Sequence, residues 1–83
     1  MGKINSKLYS MPSNTVDLNS LENTIAVLEW EADGASHNRP VNQGGLVVSS
    51  ARGSTRAQLF LAYNGRLFVR GYYDNAWVGW IEK

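Results

Sequence analysis

Aromatic, cationic and polar side chains are concentrated near the C-terminus of this 83-residue chain. Flat aromatic rings offer the apolar surface on which a sugar ring stacks, and neighbouring carboxylate, amide and guanidinium groups can bond its hydroxyls. For so small a domain the same rings are more often residues that fill the core and the contacts between subunits, and the sequence leaves both interpretations open. The candidate ligand-binding residues are Arg70, Tyr72, Tyr73, Asp74, Asn75 and Trp77.

A tight turn is expected to bring these side chains together. Asp74–Asn75 suits a two-residue turn because both residue types tolerate left-handed backbone. Such a turn pairs Tyr72 with Trp77 and Arg70 with Gly79. It places Arg70, Tyr72 and Trp77 on one face of the strands, where the guanidinium can stack on an aromatic ring.

Trp77 and Trp80 are expected to point to opposite faces, because they lie three residues apart on a strand. One of them should then pack in the core, and the other should lie at an interface or a binding surface. Aromatic residues of this kind can also stack single-stranded nucleic acid. A net charge of only +1 argues against that partner, since nucleic-acid-binding domains carry a basic excess.

Patterns for catalysis and metal binding are weak. His37 is the only histidine, and it lies in a loop segment without a positioned partner for acid–base or triad chemistry. The chain has no cysteine, and its carboxylates show no metal-ligand spacing. Gly44–Gly45 precedes a strand rather than a helix, so no phosphate-binding loop is indicated. The sequence therefore predicts a protein that is not an enzyme and has no catalytic residue, metal or cofactor.

The strands that position the candidate site are predicted to be joined by a hairpin turn at Asn64–Gly65. A two-residue type I′ turn there pairs Leu61 with Phe68 and Phe60 with Val69. Alternation gives one face with Gln58, Phe60, Ala62, Leu67, Val69 and Gly71, and a second with Leu59, Leu61, Tyr63, Phe68, Arg70 and Tyr72. Neither face is polar enough to meet water alone. Both should be covered, by other parts of this chain or by a second copy of it.

Upstream, the sequence predicts an N-terminal arm or linker over residues 1–16 and a β domain over residues 17–83. Residues 17–21 read as a turn or a single helical turn whose leucines close one end of the core. Residues 24–31 favour a strand through their Ile, Val, Thr and Trp content, with a short helix as the competing interpretation.

Residues 32–44 form a loop, which is either functional or a plain connection. Residues 45–52 form the next strand. The predicted fold class is mainly β, a small antiparallel sheet or sandwich of about five strands that ends in a three-stranded meander. A chain of this length buries only about 60–65% of its surface on folding. Without disulfides, oligomerisation is the expected supplement to its stability.

The C-terminal tail resembles the closing signature of the pyocin-knob domain family. In that signature a strand ends in an apolar-Val-Arg step, followed by a polar turn, a Trp-x-x-Trp pair and a lysine; here these are Val69–Arg70, Asp74–Asn75, Trp77, Trp80 and Lys83. Further similar features upstream are Asp17–Leu21, Pro40, Gly45–Val48 and Gln58. The Gly-x-Tyr usual at the first strand is replaced by Ile25–Trp30, so the likeness is less close there.

This resemblance implies a knob-like, homotrimeric module of a phage tail fibre, a tail spike or an R-type pyocin fibre. Its location would be the virion or a phage-tail-like particle, and its role would be recognition of the host cell surface. The implied ligand is bacterial surface polysaccharide or lipopolysaccharide, and no nucleic-acid partner or membrane insertion is expected. The alternative is a structural role in trimerisation or folding registration of a fibre, without receptor contact.

Overall fold

The computed structural model describes residues 9–83 of the chain. Within this range seven strands form one open sheet, and the remaining regular structure is two short 3₁₀ turns. The strands are β1 (Tyr9–Ser10), β2 (Thr24–Leu28), β3 (Gly45–Arg52), β4 (Thr55–Ala62), β5 (Leu67–Tyr73), β6 (Ala76–Trp77) and β7 (Ile81–Glu82). The mainly β class is confirmed.

The strands lie in the order β1-β2-β3-β4-β5-β6, and β7 also pairs with β5. The pairing of β1 with β2 is parallel and the other pairings are antiparallel. The sheet is therefore open and mixed, with seven strands in place of the five or so predicted. The four strands from β2 to β5 follow one another as sequential neighbours, as expected when each connection is a short turn or loop.

Two upstream predictions are confirmed and one is wrong. β3 has the predicted bounds, and β2 is a strand rather than a helix. β2 ends at Leu28, however, so Trp30 lies exposed in the following loop instead of sharing the buried face with Ala26 and Leu28. The pattern of alternation carried no signal for where the strand stops.

β1 falls inside the predicted N-terminal arm. Its two residues pair with Ile25 and Ala26, so this part of the arm belongs to the sheet. Residues 1–8, the first half of that predicted arm, lie outside the described residues.

The buried core lies on one face of the sheet. The predicted helical turn is present at Leu18–Ser20, where the Asp17 side chain accepts a hydrogen bond from the Asn19 N–H. As predicted, the leucines of this segment are buried. The core residues are Leu18, Leu21, Ala26, Leu28, Val47, Phe60, Ala62 and Phe68, with Val16, Val41 and Trp80 packed against them.

The long loop between β2 and β3 is organised around the buried side chain of Arg39. Its Nη1 donates to the carbonyl oxygens of Glu29 at 2.6 Å and Gln43 at 2.8 Å, and its Nη2 donates to that of Asn14 at 2.7 Å. Burial lowers the pKa of Arg39, while the carboxylate of Glu31 acts to raise it. One guanidinium thus ties both ends of the loop to the segment before β2, which makes the loop a braced connection.

The β4–β5 hairpin has a three-residue loop rather than the predicted two-residue turn. The Gly65 N–H donates to the Ala62 carbonyl, and the Ala62 N–H donates to the Arg66 carbonyl, each at 2.9 Å. Within the loop, positive φ occurs at Gly65 (91°) and not at Asn64. A type I turn followed by a left-handed glycine therefore replaces the type I′ turn, which needs two residues with positive φ.

This extra loop residue shifts the register of β5 by one. Leu61 pairs with Leu67 rather than Phe68, and Phe68 pairs with Phe60. The predicted faces are wrong for β5, because a slip of one residue moves every side chain to the other side of the sheet. Phe68 and Arg70 consequently join Phe60 on the core side.

The predicted Asp74–Asn75 turn is confirmed. Both residues have positive φ, 55° and 64°, and Tyr72 pairs with Trp77. Beyond Trp77 the ladder is interrupted, and it resumes with Val69 opposite Ile81, one residue later than an unbroken ladder would have it. This interruption has the character of a bulge, which inserts one unpaired residue and redirects the side chains that follow.

The bulge overturns two predictions. Arg70 and Gly79 do not form a ladder pair, and Trp77 and Trp80 do not point to opposite faces, since both contact the same Arg70 guanidinium. The spacing of three places side chains on opposite sides only along an uninterrupted strand.

Candidate functional site

The predicted aromatic cluster is built around Arg70. Its guanidinium carbon lies 3.8 Å from the centre of the Trp77 ring and 4.5 Å from that of the Trp80 ring. Tyr72 meets Trp77 edge to face, with ring centres 5.2 Å apart. The prediction that Arg70, Tyr72 and Trp77 lie on one face is confirmed, and the Arg70 guanidinium stacks on Trp77 and also on Trp80.

Hydrogen bonds engage Nε and Nη2 of the Arg70 guanidinium. Nε and Nη2 donate to Oε1 of Gln58 at 2.8 and 2.6 Å, and Nη2 also donates to Oδ1 of Asn19 at 2.7 Å. Burial lowers the pKa of Arg70 to about 10, opposed by the charge of Asp17, so the group remains a cation at neutral pH. The buried Arg70 side chain therefore supports the rings of Trp77 and Trp80.

Gln58 extends this network into the core. Its Nε2 donates to the Leu18 carbonyl at 2.6 Å and to Oγ of Ser49 at 3.1 Å. The Ser49 hydroxyl in turn donates to the Leu21 carbonyl at 2.7 Å. Because buried polar groups are costly when unpaired, these bonds satisfy the carbonyls of Leu18 and Leu21, at the two ends of the 3₁₀ turn, and secure the turn to the sheet.

The β5–β6 turn presents the exposed part of the predicted site. A shallow cavity of about 190 Å³ lies beside it, lined by Tyr73, Asp74, Ala76, Trp77 and Val78. Asn75 is exposed at the tip and Tyr72 is half-buried behind it. The structure thus brings Tyr73, Asp74 and Trp77 to one cavity. We call this part of the surface, Tyr73 to Val78, the turn surface.

Sequence reasoning did not identify Gln58, Asn19 and Trp80 as members of this cluster. Gln58 shares one face of β4 with the apolar residues Phe60 and Ala62. A glutamine on an otherwise apolar face was the available signal for a buried polar partner. The spacing of three residues predicted that Trp80 lies on the face opposite to Trp77. Its indole N–H donates to the Asn38 carbonyl at 2.9 Å, a contact between distant loops that no local pattern encodes.

A second, larger cavity lies at the β3–β4 hairpin. Its volume is about 420 Å³, and its lining residues are Asn23, Ser50, Ala51, Arg52, Thr55, Arg56 and Ala57. We call it the hairpin cleft. Two of these residues are cations, and none of the lining residues is acidic. The aromatic motifs in the sequence gave no indication of this cavity, which forms where β3 and β4 extend past the start of β2.

His37 contacts one carboxylate. Its Nδ1 lies 2.8 Å from Oε1 of Glu31, whose other oxygen lies 3.6 Å from Nε of Arg39. Among residues 9–83, no group of three or more His, Cys, Asp or Glu side chains is arranged to hold a metal ion. The described part of the chain also contains no helix that is long and apolar enough to cross a membrane.

The face of the sheet opposite the core carries two rows of apolar side chains. One row crosses six strands and the other crosses four, because each residue pairs directly with the next. The first row is Tyr9, Ile25, Val48, Leu59, Val69 and Ile81, and the second is Val27, Leu46, Leu61 and Leu67. We call these ten residues the open face. The row members are half-buried or exposed, with exposed fractions that reach 54% at Tyr9.

No protein-family model, curated protein or solved structure matches the chain.

Proposed function

We propose that this protein is a self-associating module of a fibre-type protein, and that its copies pack together through the open face. The observation that carries the proposal is the pair of uncharged apolar rows across the sheet, left uncovered by the rest of residues 9–83. The segment before β2 and the 29–44 loop pack on the core side instead. A second copy of the chain is the occupant that the chemistry favours.

The size of the open face supports this occupant. With strands about 4.8 Å apart and alternate residues about 7 Å apart, the two rows and their side chains extend over roughly 30 by 15 Å. A patch of this size matches the largest apolar patch on a typical monomer, which is often functional.

The charge of the open face also supports packing between copies. The ten residues contain no ionisable side chain apart from the Tyr9 phenol, so identical faces can meet without repulsion or the desolvation of a charge. Packing of sheet on sheet would bury aliphatic side chains from both copies at about 10 Å separation.

The number of copies and the biological setting are proposed from the resemblance. The tail signature shared with pyocin-knob domains supports a homotrimer in a phage tail fibre, a tail spike or a related particle, with the open faces directed at the three-fold axis. In that arrangement the module registers and stabilises the fibre.

Solution mass tests the proposal. Sedimentation velocity over a range of concentrations should show a trimer for the wild type and a monomer for Leu61→Lys/Val48→Lys, which places two charges in the interface. Met11→Lys adds a charge at a side chain that is 78% exposed and lies outside the two rows, so it should leave the mass unchanged. A monomeric wild type at every concentration would refute self-association.

A second function, recognition of bacterial surface glycan, is favoured by the turn surface. There an exposed tyrosine, a carboxylate and an indole border one cavity, which suits a stacked sugar and its hydroxyls. The cavity is smaller than the roughly 300 Å³ at which ligand pockets begin, so a terminal sugar with part of its surface in water is the expected ligand. We propose Tyr73, Asp74, Asn75 and Trp77 as direct contacts, with Arg70 and Tyr72 as supports.

Titration with host lipopolysaccharide and with a glycan array tests this second function. Tyr73→Ser should weaken binding, because it removes the exposed ring without disturbing Arg70. Tyr63→Ser is the matched control, since Tyr63 is 65% exposed and Tyr73 is 62% exposed. Equal binding by both variants would place the sugar elsewhere or exclude it.

A further inference from the structure

We propose that the hairpin cleft binds an anionic group, a carboxylate or a phosphate, carried by a small polar molecule such as an acidic sugar. Its volume of about 420 Å³ falls within the 300–1,000 Å³ typical of small-molecule sites. The inference concerns a part of the molecule distinct from the turn surface, and it does not rest on self-association.

Arg52 is the principal recognition group. Its side chain is exposed, and it forms no hydrogen bond or ion pair with any other residue in the range 9–83. An arginine fork binds carboxylate and phosphate in a two-pronged geometry. Its charge is therefore available to a ligand without the breaking of an internal contact.

Arg56 also lines the cleft and is already held in place. Its Nη2 lies 2.6 Å from Oε2 of Glu22, and its guanidinium carbon lies 5.7 Å from the centre of the Tyr72 ring. The pair with Glu22 largely balances the charge of Arg56, so Arg52 provides the net positive charge of the cleft. The Arg56 side chain then serves as a fixed boundary.

Neutral groups in the cleft suit the remainder of a polar ligand. The Ser50 hydroxyl is exposed and has no partner among residues 9–83. The Thr55 hydroxyl donates to the Arg52 carbonyl at 2.9 Å and keeps its oxygen free to accept. The side chain of Asn23 accepts a hydrogen bond from the Ala51 N–H at 3.0 Å, which fixes the strand edge that forms one side. Hydroxyl and amide groups beside a cation that has no partner in residues 9–83 match a sugar that carries an acid group.

The test is an NMR titration of the labelled protein with glucuronate, glucose 6-phosphate and neutral glucose. Both acids should shift the amide signals of Asn23 and Ala51 in a saturable way, with dissociation constants in the millimolar range typical of one exposed charge pair with hydrogen bonds. Glucose should bind at least tenfold more weakly. The acid that binds more tightly identifies whether carboxylate or phosphate is preferred.

Arg52→Gln should weaken binding of both acids at least tenfold, while the fold is preserved because the Arg52 side chain has no partner among residues 9–83 to lose. Arg66→Gln is the control, since it removes one exposed arginine at the far end of the sheet and should leave the titration unchanged. Equal binding of glucose and the acids, an unchanged response in Arg52→Gln, or no saturable shift at tens of millimolar would each overturn the proposal.

Discussion

Oε1 of Gln58 accepts two hydrogen bonds from the buried guanidinium of Arg70, at 2.8 Å from Nε and 2.6 Å from Nη2. The two residues face each other across β4 and β5 as a ladder pair. Through Gln58 the aromatic cluster at the end of the chain is linked to the 3₁₀ turn before β2. This pair therefore connects the candidate site with the core.

Replacement of Arg70 by lysine should lower the free energy of unfolding by about 2–3 kcal/mol, because an ammonium cannot donate to Gln58 and Asn19 while it stacks between two indoles. Urea unfolding at fixed protein concentration measures the change. Arg52→Lys is the matched control, because the exposed Arg52 side chain has no hydrogen bond or ion pair within residues 9–83, and it should show no measurable effect. Equal stability of Arg70→Lys and the wild type would contradict a stabilising role for the hydrogen bonds from the Arg70 guanidinium to Gln58 and Asn19.

The Gln58–Arg70 pair should show strong coupling in a double-mutant cycle. Gln58→Leu alone removes the acceptor of Arg70 Nε, one of the two acceptors of Nη2 and the side-chain donor to the Leu18 carbonyl, at a cost of about 2–4 kcal/mol. The double variant Gln58→Leu/Arg70→Met should cost less than the sum of the single changes by about 1–3 kcal/mol. For Gln58→Leu combined with Arg66→Met, the change in the free energy of unfolding should equal the sum of the two single changes. Additivity in the first cycle would show that the two side chains do not act together.

The two hairpin turns should respond oppositely to glycine. Asn75→Gly should leave stability unchanged or raise it by up to about 1 kcal/mol, because Asn75 has a φ of 64° that glycine adopts without strain. Asn64→Gly should lower it by about 0.5–1 kcal/mol, since it adds freedom to the unfolded chain and removes the hydrogen bond from the Arg66 N–H to Asn64. Thermal unfolding of the two variants and the wild type measures both changes in stability. A stabilising Asn64→Gly would support the type I′ register instead.

Acid should weaken the link between β7 and the hairpin loop. The hydrogen-bonded pair with Arg66 lowers the pKa of Glu82 below its usual 4.5. A carboxylate with a lowered pKa in the folded state stabilises the fold above pH 4.5, and that contribution disappears as the pH falls through the lowered pKa. The melting temperatures of wild type and Glu82→Gln should therefore differ at neutral pH and converge in acid. Glu29→Gln, at an exposed carboxylate without an ion pair in residues 9–83, should show no such convergence.

Much of the candidate site followed from local pattern. The residue types at Asp74–Asn75 predicted the turn, and the turn predicted the Tyr72–Trp77 pair and the stack on Arg70. What failed was the placement of Trp80, because one unpaired residue between β6 and β7 redirects it toward Arg70. A bulge of this kind leaves no mark in the alternation of apolar residues.

The sequence by itself determined that the chain forms short strands joined by tight turns, since alternation and turn-forming residues act over a few positions. Only the tertiary structure decided which face each strand buries. At the β4–β5 hairpin one additional loop residue turns Phe68 and Arg70 toward the core. There Arg70 contacts Gln58 of the neighbouring strand β4 and Trp80 from the segment between β6 and β7. Register depends on the sum of such long-range contacts, and for that reason the open face and the hairpin cleft emerged only from the folded chain.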